Sequence, residues 1–110
     1  GAHQGVSHPL AEAHINVEVS RLATKHAAEL ADQNSPGVGE ASNIAKFAAS
    51  EAALKALDQA IQTHGGNGLS TEYGLSELWF VTRLMRTAPV SREMVLNFVA
   101  QTSLNLPRSY

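Results

Sequence analysis

Cysteine is absent from this chain of 110 residues, and its absence excludes several kinds of site. A chain without thiols has no disulfide, no zinc–thiolate centre, no iron–sulfur cluster and no cysteine nucleophile. An excess of positive charge is lacking too, because 8 Lys and Arg stand against 10 Asp and Glu, for a net charge of −2. Without a basic face to neutralise phosphates, nucleic acid is not expected as a partner.

Long apolar runs are also missing, so no membrane span is predicted. The chain does not begin with Met, and its first residues do not have a basic segment followed by an apolar one. No signal peptide or other targeting signal is therefore expected from these residues.

The chain does contain apolar residues at helical spacing. They predict helices over residues of about 9–32, 40–63, 74–86 and 90–104. Turn-forming residues separate the first two helices, and no stretch alternates as a strand would. The sequence therefore predicts an all-α fold, with residues 1–110 as one domain or domain segment.

The faces of these helices can be assigned from the same spacing. Pro9 suits the first turn of the first helix, where its missing N–H costs nothing. The first helix is predicted to have one apolar face, formed by Ile15, Val19, Leu22, Ala23, Ala27 and Leu30. The third helix is predicted to point Leu75, Leu78, Trp79 and Leu84 inward. The second helix has a face of alanines that would let a neighbouring helix approach closely.

An up-and-down four-helix bundle closes its core with four long helices. Only two of the four helices predicted here are long. The prediction is an incomplete bundle with an open apolar strip. Such strips usually find a partner, so the chain on its own is expected to associate, for instance with a second copy.

Metal and hydrolase sites find little support. No two of the five histidines are three or four residues apart, as helical metal ligands would be, and no Glu-x-x-His occurs. No metal site is therefore predicted. A G-x-S-x-G nucleophile elbow is also missing.

The stretch IQTHGGNGLSTEYG, residues 61–74, is the most informative of the chain. Gly65 and Gly66 can end the second helix, since glycine readily takes the left-handed conformation there. They can also offer bare backbone to a flat ligand, with the amide of Gln62 one turn earlier as a companion. Arg83 and Arg86 allow two interpretations as well, phosphate pairing or the favourable cation at a helix C-terminus.

Three segments of the chain carry a family resemblance: HPLAEAHINVEVSRL, SNIAKFAASEAALKALDQAIQTHGGNGLSTEYGLSELW and APVSREMVLNFVAQTSLNLPRSY. They resemble the C-terminal helical domain of acyl-CoA dehydrogenases, over essentially the whole chain. The most specific part is AxQxxGGNG followed by TEY. The tail is most similar to the branch typified by acyl-CoA dehydrogenase family members 10 and 11.

The resemblance implies an activity and its partners. Members hold FAD, oxidise acyl-CoA to trans-2-enoyl-CoA and pass electrons to an electron-transferring flavoprotein. They are homodimers or homotetramers, with FAD lying across a subunit interface. The implied location is cytoplasmic for a bacterial protein and mitochondrial or peroxisomal for a eukaryotic one.

The resemblance also implies which residues contact FAD. Gln62, Gly65 and Gly66 match the stretch that meets its adenosine and pyrophosphate part. His3 and Gln4 match a His-Gln pair that contacts the same cofactor.

The last helix has both matches and departures. Ser91 stands where the family usually has a Thr near the flavin, although its hydroxyl also suits a helix cap, and Glu93 stands where a Gln is common. The usual catalytic Glu aligns with Pro89, which takes no proton, so the catalytic base is not assigned. The family's first bundle helix and the Arg-x-x-Phe-Gly after it have no counterpart here. The alternative function is a helical assembly module that binds no cofactor.

Overall fold

The computed structural model describes residues 1–109, which form four α-helices. The helices are α1 (Gln4–Asp32), α2 (Val38–His64), α3 (Leu78–Leu84) and α4 (Arg92–Thr102). Two short 3-10 turns, Gly65–Leu69 and Thr71–Tyr73, connect α2 to α3. Since these 109 residues contain no strand, the all-α prediction is confirmed.

Helix α1 begins five residues before the predicted start, so Pro9 lies inside the helix and not in its first turn. The first turn forms on the carbonyl of His3, which accepts hydrogen bonds of 2.9 Å from the N–H groups of both Val6 and Ser7. Pro9 then falls in the second turn, where its missing N–H removes one bond, to the carbonyl of Gly5. A helix of 29 residues tolerates that loss.

The other helices also differ at their ends from the prediction. Helix α2 begins two residues earlier and ends one later, while α3 and α4 are both shorter than predicted. Gly74, with φ of +69°, follows the second 3-10 turn, and α3 begins only at Leu78. Helix α4 begins after Ser91, whose extended backbone stands outside the helix.

Helices α1 and α2 form an antiparallel hairpin that packs through small side chains. Buried positions in the two helices are almost all Ala or Ser, and the core at one end of the hairpin consists of Ala27, Ala41 and Ala45. The hydroxyl of buried Ser20 is satisfied, because it donates to the carbonyl of Val17 at 2.8 Å. The alanine face of α2 thus provides the close helix approach that the sequence predicts.

Several large apolar side chains of α1 are left uncovered, whereas Leu30 packs against the alanine core. Of the predicted apolar face, Ala27 lies in the core, and Ala23 and Leu30 pack against it. Ile15, Val19 and Leu22 are instead 59%, 55% and 67% exposed, so that part of the face is not buried. Leu78 and Trp79 of α3 are also about half exposed. The reason is that α2 packs on the small residues of α1, where the two backbones can approach more closely.

Among residues 1–109, helices α1, α3 and α4 each pack on α2, and no two of them pack on each other. Val95 anchors α4 and is only 1% exposed. At the other end of α4, Ser103 donates a hydrogen bond to the carboxylate of Glu40 at the start of α2. Because three helices share one central helix, the bundle is not closed.

The open arrangement leaves more surface than a compact protein of this size would have. The accessible surface is 7480 Å², whereas a folded monomer of this mass exposes about 5,900 Å². The excess is about 1,600 Å², twice what one partner buries in a standard protein interface. No helix in residues 1–109 is long and apolar enough to cross a membrane.

Candidate functional site

The loop after α2 begins at Gly65, where a glycine is needed for its backbone conformation. Its φ is +59°, and its N–H donates to the carbonyl of Gln62. The helix therefore ends at His64, close to the predicted place. The ψ of −139° lies outside the left-handed helical region that the sequence favoured, but glycine is still the residue that accepts this conformation.

Gly68 has a role that the sequence analysis missed. A Cβ added at this position would lie 2.4 Å from the carbonyl oxygen of Ile61 and 2.9 Å from its Cα. Gly68 is buried, and the loop folds back here onto the last turns of α2. The sequence signal was present as the third glycine in four residues, but nothing in the sequence says which backbone it touches.

Gly66 differs from both of these glycines. Its φ is not positive, and a Cβ added there would meet nothing within 4 Å. Neither the conformation of the backbone nor packing within this chain therefore requires a glycine at this position. Gly66 is exposed, so its main chain is open to a ligand that approaches closely.

The side chain of Gln62 is exposed one turn before the glycines and makes no hydrogen bond within residues 1–109. Next to it, the rings of His64 and Tyr73 meet edge to face, with their centroids 5.7 Å apart. The ring Nδ1 of His64 donates to the carbonyl of Ala60 at 2.8 Å. The loop is therefore braced on its own helix, while the amide of Gln62 stays available.

The antiparallel hairpin brings His3 and Gln4 to the same end as this loop. The ion pair between Glu12 of α1 and Lys55 of α2 shows the register of the two helices. His3 lies as many residues before Glu12 as His64 lies after Lys55, so the two histidines stand at the same end of the hairpin. Both His3 and Gln4 are exposed. The structure thus gathers five predicted residues at one end, here called the loop patch: His3, Gln4, Gln62, Gly65 and Gly66.

Ser91 and Glu93 form a second group at the start of α4, here called the α4 patch. Helix α4 begins beside Glu51, eleven residues before Gln62 on α2, or about 17 Å along the helix axis. Ser91 is half-buried, and its Oγ accepts a hydrogen bond of 3.3 Å from the N–H of Met94, while Glu93 is exposed. The capping role considered for Ser91 is therefore present in the structure.

Pro89 lies in an apolar groove between α2 and the segment before α4. The groove measures about 440 Å³ and is lined by Lys46, Ala49, Ser50, Ala53, Met85, Ala88 and Pro89. The peptide bond between Ala88 and Pro89 is cis. No carboxylate is among these lining residues.

The most concentrated charge near the α4 patch is one that the sequence analysis did not identify. Glu51 Oε1 lies 2.7 Å from Nε of Arg86 and 3.0 Å from Nε of Arg92. The guanidinium carbon of Arg92 also stands 5.2 Å from the centre of the Phe47 ring. Arg86, considered above as a phosphate ligand, is thus engaged by a carboxylate. Within residues 1–109 no group of three metal-ligating side chains occurs.

Comparison of the sequence with known proteins identifies the family of this chain. The family model described as "Acyl-CoA dehydrogenase, C-terminal domain" matches residues 1–104. Acyl-CoA dehydrogenase FadE12 of Mycobacterium tuberculosis (strain ATCC 25618 / H37Rv) is 60% identical over 111 residues, which cover 100% of this chain and 29% of the relative.

Two further relatives are more distant. Acyl-CoA dehydrogenase family member 11 of Homo sapiens is 38% identical over 104 residues, which cover 94% of this chain and 13% of that protein. Probable acyl-CoA dehydrogenase YngJ of Bacillus subtilis (strain 168) is 35% identical over 101 residues, which cover 92% of this chain and 26% of that protein. The chain thus spans less than a third of the length of these relatives. It belongs to the acyl-CoA dehydrogenase family and corresponds to the family's C-terminal domain.

Proposed function

We propose that this chain works as part of an FAD-dependent acyl-CoA dehydrogenase that oxidises acyl-CoA to trans-2-enoyl-CoA. In that protein it supplies contacts to FAD and surface for the assembly of subunits. The observation that carries the proposal is the exposed pair of Gln62 and Gly66: within residues 1–109 the amide has no partner, and nothing in these residues requires a glycine at position 66. The relative with 60% identity, named as an acyl-CoA dehydrogenase, supports the same activity.

The loop patch fits the adenosine and pyrophosphate part of FAD. The bare main chain at Gly65 and Gly66 lets a flat or anionic group approach closely, and the Gln62 amide can donate and accept hydrogen bonds. His3 and Gln4 stand at the same end and add polar side chains to the same surface. When bound, FAD supplies the acceptor for the hydride that leaves the β-carbon of the acyl group.

The α4 patch is proposed to contact FAD nearer the flavin, through Ser91 and Glu93. By the family resemblance, the loop patch contacts a cofactor held mainly by another subunit. The two patches of one chain would then serve two FAD molecules.

The base that removes the α-proton is proposed to come from outside this chain. Proline stands at the usual position, and the groove around it has no carboxylate. The chain's share of the reaction is therefore to bind and orient FAD. Acyl-CoA and an electron-transferring flavoprotein are the proposed partners of the intact protein.

A homodimer or homotetramer is the proposed assembly, supported by the apolar surface that this chain leaves open. The same surface also favours the second candidate, an assembly module without cofactor. The two candidates differ at Gln62, because an amide on the loop patch matters for FAD and not for helix packing.

The test uses the intact protein, purified with its bound flavin and measured by flavin absorbance and light scattering. Replacing Gln62 by Ala is expected to weaken FAD binding by about three- to tenfold, as for the loss of one or two hydrogen bonds, with the assembly unchanged. Gln33→Ala is the matched control, since this exposed glutamine lies at the opposite end of the hairpin. A correctly assembled wild-type protein without flavin would refute the proposal and favour the module.

A further inference from the structure

We propose that Glu51 is a positioning residue that holds the segment 86–92 against α2 and thereby fixes the α4 patch. One carboxylate oxygen contacts the arginines at both ends of this segment. The part of the inference that concerns FAD rests on the proposed function. The part that concerns the segment stands on the geometry alone.

The contacts of Glu51 are better shielded from water than the ion pairs Glu18–Arg21, Lys25–Glu29 and Glu12–Lys55. The side chains of Glu51, Arg86 and Arg92 are 33%, 27% and 34% exposed, whereas Glu12 and Lys55 are 60% and 56% exposed. Water and salt screen exposed pairs strongly and half-buried pairs much less. Glu51 is therefore expected to matter far more than Glu12, although both carboxylates link α2 to another part of the chain.

Arg86 depends on this carboxylate in particular. Its Nε atom is buried, and its N–H is not aligned for a hydrogen bond with any acceptor in residues 1–109. Its contact with Glu51 at 2.7 Å is thus ionic attraction. Removing the negative charge would leave a buried cationic nitrogen without compensation, which is the costly case for a polar group.

The main chain closes the same segment. The N–H of Arg92 donates to the carbonyl of Arg86 at 2.9 Å, so the segment forms a loop whose two ends meet. Lys46 of α2 donates to the carbonyl of Met85 just before the loop. Because α3 and α4 do not pack on each other, the loop between them is placed by contacts with α2, and Lys46 and Glu51 contribute to these contacts.

The consequence for the site follows from the sequence positions. Ser91 precedes Arg92 and Glu93 follows it, so both members of the α4 patch adjoin an arginine that Glu51 holds. Without the carboxylate, two neighbouring guanidinium groups would repel each other across the closed loop. The loop would then open more often, and the α4 patch would lose its fixed position.

Hydrogen exchange in the intact protein tests the loop directly, because the amide of Arg92 is one of its closing bonds. Glu51→Gln keeps the size of the side chain and removes its charge. We expect exchange at the amides of residues 92–95 to rise about tenfold or more, as for the loss of a charged contact, while α1 exchanges as before. Glu12→Gln, the matched control, is expected to change exchange at 92–95 by less than about twofold.

A double variant separates charge from packing. When Arg86→Gln is added to Glu51→Gln, one of the two repelling cations is gone, so exchange at residues 92–95 is expected to be slower than in Glu51→Gln alone, although still faster than in wild type, which keeps the carboxylate. If the two changes instead add, or if Glu51→Gln leaves residues 92–95 as protected as before, the positioning role is wrong. Faster exchange in all helices equally would also overturn it.

FAD binding supplies a separate readout. The dissociation constant of FAD is expected to rise about three- to tenfold in Glu51→Gln, as for a weakened hydrogen bond or two, and to stay unchanged in Glu12→Gln. A wild-type protein without flavin would refute the proposed function and leave the exchange result to decide on Glu51. Increased exchange at 92–95 with unchanged FAD binding would overturn the link between Glu51 and the cofactor.

Discussion

Two glycines of the loop after α2 are expected to respond in opposite ways to the same change. Gly68→Ala places a methyl carbon 2.4 Å from the carbonyl oxygen of Ile61 and 2.9 Å from its Cα. Ordinary contacts of this kind are about 3.4 Å or longer, and both opposing atoms belong to helix backbone, which does not yield easily. The loop must therefore move away by about 1 Å, and overpacking of this kind costs about 1–3 kcal/mol.

Gly66→Ala is the matched control, since its new methyl group meets nothing within 4 Å and its φ is not positive. Its stability is expected to be unchanged or higher by about 0.4–1 kcal/mol, because alanine lowers the entropy of the unfolded chain. FAD binding, in contrast, should weaken in Gly66→Ala, because the new methyl group covers exposed main chain. This weakening should be larger than any that a change in stability explains.

The measurement is native-state hydrogen exchange at residues 61–68 of the intact protein, which gives the free energy of local opening, together with titration of FAD. Gly68→Ala should lower that free energy by about 1–3 kcal/mol. The reasoning would be refuted if Gly68→Ala opened no more easily than wild type. It would also fail if Gly66→Ala were the more destabilised of the two.

Three further changes test other parts of the structure. Val95 is only 1% exposed, so Val95→Ala should lower the free energy of unfolding by about 1.5–3 kcal/mol through lost burial and a cavity. Denaturation measures this, and a change below about 0.5 kcal/mol would contradict the anchoring role of Val95. Ser91→Ala removes the cap of α4 and should cost about 1 kcal/mol, visible as faster exchange of the Met94 amide, whereas Ser91→Asp should retain protection. The isolated chain should self-associate through its uncovered apolar faces, and Val19→Asp should shift it towards monomer in light scattering; a compact wild-type monomer at high concentration would count against this.

Much of the fold follows from local patterns in the sequence. The spacing of apolar residues predicts four helices, and the glycines after residue 64 predict the end of α2, because both depend on neighbours within a few positions. The start of α1 was missed because Pro9 looks like a first-turn residue. The carbonyl of His3 allows the helix to begin earlier, and the sequence gives no sign of that bond.

The candidate site, like the fold, was predicted in part from the sequence, and the rest became visible only in the structure. The family resemblance supplies the residues of both patches, and Gln62 and Gly66 are accessible as that assignment requires. Only the structure distinguishes the three glycines, one needed for its φ, one for its contact with Ile61 and one for neither. Glu51 was overlooked because its two arginine partners lie far from it in the sequence, and periodicity carries no information about such pairs.

The sequence by itself thus determined the all-α class, the order of the helices, the small-residue face of α2 and the family. Tertiary structure decided which face of α1 is packed, where Gly68 touches α2 and how one carboxylate gathers Arg86 and Arg92. The physical reason is the separation along the sequence over which each effect acts. Helix formation depends on residues three or four positions apart, whereas burial and ion pairing depend on which distant surfaces fit together. On α1 the small residues allowed the closer approach, so Ile15, Val19 and Leu22 remain uncovered.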